Sequence, residues 1–112
     1  MPKSITYHGA NGVTDDMNDV EMISARGSLA ESIIKEFTVY NADSASAEVT
    51  ISIDNNAVNQ RVLIKQTLSA GETLHWEGTT ILDASQALII VLTAASATDL
   101  DWTVSYMTVT TS

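Results

Sequence analysis

Two histidines, His8 and His75, are the imidazoles available to this chain, and no cysteine accompanies them. Imidazole titrates near neutral pH, so each is a candidate general base. His75, however, lies on the polar side of an alternating stretch, next to Trp76, which makes it a surface side chain. Serines and threonines are plentiful, but no nucleophile-elbow motif frames any of them. Asp15, Asp16, Asp19 and Glu21 bring four carboxylates together, and a calcium ion wants about six to eight oxygen ligands. Their spacing fails the calcium-loop pattern: the ligand positions after Asp16 fall on Asn18 and the apolar Val20, and no glycine follows. A solvated acidic loop is expected there. Gly71 and Gly78 suit turns better than a phosphate cradle. The expectation is a protein with no catalytic residue, cofactor or metal site, and therefore not an enzyme.

The elements that carry these residues read as strands. Val49, Ile51 and Ile53 alternate with Glu48, Thr50, Ser52 and Asp54, so one face of 47–54 is apolar and the other wet. Leu100, Trp102, Val104 and Tyr106 share a face of a strand over 100–110. Val62, Ile64 and Leu68 mark a strand over 58–68, and Leu74 and Trp76 another over 72–77. Turn-forming residues separate these runs: Asn41-Ala42-Asp43-Ser44, Asp54-Asn55-Asn56 and Ser69-Ala70-Gly71. The stretch 28–40 carries two signals. Ser28 to Glu31 has capping-box spacing, and Leu29, Ile33, Ile34 and Phe37 would line a helix. Phe37, Val39 and Asn41, by contrast, alternate with Glu36, Thr38 and Tyr40, which favours a strand over 32–40.

Short strands with turns between them and no helical segment predict an all-β fold, an antiparallel two-sheet β-sandwich. Its expected core is Phe37, Val39, Val49, Ile51, Ile53, Val62, Ile64, Leu74, Trp76, Ile90, Trp102 and Val104. Residues 8–27 lack apolar alternation and concentrate Asn, Asp and Gly, so 1–27 is expected to be an extended N-terminal arm or loop and 28–112 the sandwich. The run Leu88-Ile89-Ile90-Val91-Leu92 offers apolar side chains to both sides of a strand. Its outer face needs cover from the arm or from a second subunit, which makes Ile89 and Val91 the expected interface residues.

Composition narrows the partners. The 112 residues carry 14 acidic and 5 basic side chains, a net charge of -9, which repels phosphate backbones and excludes nucleic acid as an expected partner. The start Met1-Pro2-Lys3-Ser4 lacks the apolar core of a signal peptide, and no apolar run approaches the roughly 20 residues that span a bilayer. No membrane partner is expected.

From Ser28 onward the chain resembles small tailed-phage virion proteins of the jelly-roll or β-sandwich type. The resemblance is carried by the strand Ile33 to Val39 ending in Tyr40-Asn41, the small-residue turn Ala42 to Ser46, and the alternating strand Val49 to Ile53. It continues through Leu68-Ser69-Ala70-Gly71-Glu72-Thr73-Leu74, the segment Ile81 to Ala84 leading into Leu88 to Leu92, and the closing Trp102 to Tyr106. The tight connection Asp54-Asn55-Asn56-Ala57 departs from the longer Gly- and Ser-rich loop of such proteins, and residues 1–27 have no counterpart in them. The resemblance implies a jelly-roll-like sandwich and a non-enzymatic structural role on a bacteriophage virion assembled in the host cytoplasm. The implied role is a homotrimeric capsid decoration or cement protein whose partners are its own copies and the major capsid or neck protein. Neck, tail or fibre-base positions are the alternatives, and a carbohydrate-binding β-sandwich is another.

Overall fold

The computed structural model describes residues 3–14, 20–25, 30–55, 59–83, 85–92 and 99–111. Across them the β-branched and aromatic residues form eight strands: β1 (Lys3–Thr14), β2 (Val20–Ile23), β3 (Ala30–Asn41), β4 (Ala47–Asn55), β5 (Asn59–Leu68), β6 (Thr73–Leu82), β7 (Gln86–Leu92) and β8 (Leu100–Thr111). They pair antiparallel in two four-stranded sheets, ordered β1-β8-β3-β6 and β2-β7-β4-β5. That wrapped order, in which the chain changes sheet at every connection except β4 to β5 and closes with β8 beside β1, is the jelly roll. The all-β sandwich expected from the alternation is present.

The core lies between the sheets. Phe37, Val39, Val49, Ile51, Leu74, Ile90, Trp102 and Val104 are buried there as the alternation predicts, joined by Met22, Ile34, Leu68, Leu82, Leu88 and Leu100. Ile53, Ile64 and Trp76 pack against it while partly exposed, and the Trp76 ring stacks on Phe37 with centroids 5.0 Å apart. Val62 departs from the expectation: it is 60% exposed. A bulge between Ile51 and Ser52 pairs Ile51 with Ile64 but Ser52 with Val62, so β5 carries one extra residue and Val62 turns outward.

A second bulge explains the mixed signal in β3. Ser32 and Ile34 face inward before it and Phe37, Val39 and Asn41 after it, because the register shifts between Ile34 and Glu36. Two period-two runs offset by an odd step imitate the i, i+3 spacing of a helix. Asn41 then ties the sheets together. Its side-chain Nδ2 donates to the carbonyls of Ala45 at 2.8 Å, Leu68 at 3.1 Å and Ser69 at 3.3 Å, while its Oδ1 accepts from the Asp43 amide at 3.0 Å. The Gly71 amide returns to the Asn41 carbonyl at 2.9 Å, from a turn that Gly71 permits with φ +76°.

The N-terminal region differs from the expected arm. Residues 3–14 pair with β8 along their whole length, and 20–23 pair with β7, so each sheet receives one strand from it. The inward positions of β1 are His8, Ala10, Gly12 and Thr14, too polar or too small to show as an apolar period. The space above them is filled from β8: His8 stacks on Tyr106 with centroids 5.0 Å apart and its Nε2 lies 2.9 Å from Thr108 Oγ1, and Gly12 sits under Trp102. In β2 a register shift between Glu21 and Ile23 leaves Met22 and Ile23 both buried, which hides the alternation there.

Candidate functional site

The pairing registers place the outward side chains of the β1-β8-β3-β6 sheet in rows that cross all four strands. One row runs Tyr7, Met107, Ile33, Ile81. Beside it at the sheet's end lie Ile5 and Val109, with the exposed Glu31 paired to Val109 on β3. Tyr7 is 78% exposed and Ile81 58%, with Met107, Ile33 and Val109 partly exposed. Four strands spaced about 4.8 Å apart make such a row roughly 15 Å long. No charged residue interrupts it. At the opposite end Val13 and Tyr40 flank Asp101.

The two rows between these ends are polar: Gly9, Ser105, Glu36, Glu77, and then Asn11, Thr103, Thr38, His75. His75 Nε2 lies 2.9 Å from Glu77 Oε1 and 3.9 Å from Glu36 Oε2, and its Nδ1 lies 3.2 Å from Thr38 Oγ1. His75 is the exposed strand residue that the alternation predicts, now with two carboxylates beside it. Its pairing with Glu77 is legible from the sequence, two residues apart on one strand; the arrival of Glu36 depends on the register of β3 against β6.

The residues expected at the interface lie on the other sheet. Ile89 points away from the core residues Leu88 and Ile90, yet it is only 2% exposed in the single chain. Val91 is partly exposed. Val62 shares a row with Ile89 through Ser52, and Val91 pairs with Thr50 in the next. Of the acidic group, Glu21 is exposed on β2 and accepts from Ser24 Oγ at 3.2 Å; Asp15, Asp16 and Asp19 lie outside the described residues. The described residues enclose no pocket, and among them no helix is long and apolar enough to cross a membrane.

Two four-stranded sheets in this order define an eight-stranded jelly-roll sandwich. No protein-family model and no curated protein sequence matches the chain. Solved structures with the same fold do. A Bacillus endospore appendage protein, from a family of disulfide-linked pili, superposes with a TM-score of 0.59 at 13% identity, covering 100% of this chain and 93% of that one. The capsid structure of Helicobacter pylori bacteriophage KHP30 contains a chain that superposes with a TM-score of 0.58 at 10% identity, covering 99% and 95%. PirA superposes with a TM-score of 0.61 at 10% identity, covering 87% and 92%. At these identities the likeness is one of fold.

Proposed function

We propose that the chain is a non-enzymatic structural subunit of a tailed-phage virion, a capsid decoration or cement protein that works by burying surface between its own copies and against the shell. The observation that carries this reading is the uncharged apolar row Tyr7, Met107, Ile33, Ile81 on the outer face of the β1-β8-β3-β6 sheet. Side chains so exposed and so nearly contiguous mark a contact surface. On a chain of net charge -9, an uncharged row is also where a second copy meets the least local repulsion.

The trimer and the phage particle come from the sequence resemblance, and the phage-capsid and pilus-protein folds among the structural neighbours accord with it. A patch that meets its own copy about a twofold axis closes a dimer, so a trimer needs the row to meet a different patch on the next subunit. Val62 and Val91, with Ile89 behind them, offer that patch on the opposite sheet. With no cysteine in the 112 residues, association rests on apolar burial and hydrogen bonds, not on disulfide links.

The test of the capsid role is co-sedimentation of the purified chain with assembled tailed-phage heads. The wild type is expected to pellet with the heads at a fixed stoichiometry, and Tyr7→Asp to stay in the supernatant. Recovery of the wild type in the supernatant contradicts the capsid role.

A further inference from the structure

The geometry points to Glu36, His75 and Glu77 as a binding site for a divalent transition-metal cation of the zinc class, on the polar middle of the β1-β8-β3-β6 outer face. One imidazole nitrogen and one oxygen from each carboxylate lie within 4.8 Å of one another. Ligand atoms held about 2.1 Å from one ion sit about 3.0 Å apart in an octahedral and about 3.4 Å apart in a tetrahedral arrangement. The separations from Nε2 are 2.9 Å to Glu77 and 3.9 Å to Glu36, and the three atoms together lie within 4.8 Å, so the exposed carboxylates must turn inward to close on one ion.

Three features favour a cation there. Glu36 and Glu77 are direct cross-strand partners, and like charges placed opposite each other destabilise a sheet unless something positive stands between them. Thr38, the partner of His75 across the same two strands, holds Nδ1 at 3.2 Å. When Nδ1 carries the proton and donates it to the Thr38 hydroxyl, the lone pair of Nε2 faces the Glu77 carboxylate. In the other neutral tautomer Nε2–H donates to Glu77 at 2.9 Å and the Thr38 hydroxyl donates to Nδ1, and a metal ion takes the place of that Nε2 proton when it binds. Finally, a chain of net charge -9 raises the local concentration of cations.

The nature of the donors sets the class of ion. Imidazole suits zinc, nickel and copper, whereas magnesium and calcium prefer oxygen alone. Three protein ligands leave positions for water or for a donor from another molecule. All three ligands sit on paired strands of one sheet, a platform that holds them without ordering a loop. The site does not depend on the assembly reading, because one chain supplies every ligand.

The experiment is calorimetric titration of the full chain with zinc chloride, with the two imidazoles followed by NMR. One zinc ion per chain is expected, moving the ring signals of His75 and leaving those of His8 in place. His75→Ala and Glu77→Gln should each weaken binding at least about 10-fold, and Thr38→Val, which loses only the orienting contact, about 10-fold. Circular dichroism checks that these exposed substitutions leave the sandwich folded. Magnesium chloride should not compete at equal concentration. Zinc binding unchanged in His75→Ala overturns the proposal. So do His75 ring signals that stay in place as zinc is added.

Discussion

The indole of Trp102 occupies the place where a side chain at Gly12 would stand. The two residues are partners across β1 and β8, and a Cβ built on Gly12 would come within 2.6 Å of Trp102 Cζ2 and 2.9 Å of Cε2. Gly12→Ala must therefore push the ring out of its packing, at a cost of about 1 to 3 kcal/mol. Gly9, on the same strand, has nothing nearer than 3.9 Å, so Gly9→Ala should leave the urea midpoint almost unchanged. Equal midpoints for the two variants would show that Trp102 does not rest on Gly12.

Trp102 itself is buried, and its indole Nε1 meets no acceptor among the described residues. Trp102→Ala removes the ring and leaves a cavity, an expected loss of about 3 to 5 kcal/mol. Trp102→Phe keeps most of the apolar contact and discards the unpaired donor, so its loss should stay below about 1.5 kcal/mol. Chemical denaturation of both variants orders them; a Phe variant as unstable as the Ala variant contradicts this account of the site.

Asn41 donates to three carbonyls drawn from the 42–46 turn and the end of β5. Asn41→Ala leaves those carbonyls short of a donor, about 1 to 3 kcal/mol. Asn41→Asp turns a buried carboxylate oxygen toward them and should cost more, about 3 to 5 kcal/mol at neutral pH. Thermal melts in which the Asp variant equals or exceeds the Ala variant in stability would show that the Nδ2 contacts do not hold the two sheets together.

Strands were legible where one face is apolar and the register unbroken, as at Val49 and Ile51 in β4 and at Trp102 and Val104 in β8. They were illegible where packing is supplied from elsewhere. His8, Ala10 and Gly12 are inward residues of β1, but the apolar volume over them belongs to Tyr106 and Trp102 of β8. Bulges defeat periodicity in a second way: a single extra residue near Leu63 turns Val62 to solvent, and one at Lys35 makes Ile34 and Phe37 imitate a helix. The surface features needed registers that no local pattern encodes. Tyr7, Ile33, Ile81 and Met107 come from four distant stretches of sequence, and Glu36 reaches His75 only through the pairing of β3 with β6.

Sedimentation equilibrium of the purified chain, compared with Tyr7→Asp, Ile81→Asp and Ile89→Asp, tests the central claim that copies associate through the outer face of the β1-β8-β3-β6 sheet. The wild type should sediment as an oligomer, a trimer by the sequence resemblance, and more completely as salt screens the charge of -9. Tyr7→Asp and Ile81→Asp place a charge in the exposed row and should give folded monomers, whereas Ile89→Asp buries a charge within the chain and should unfold it. A wild type that stays monomeric at every concentration and salt, or row variants that remain oligomeric, would contradict the claim.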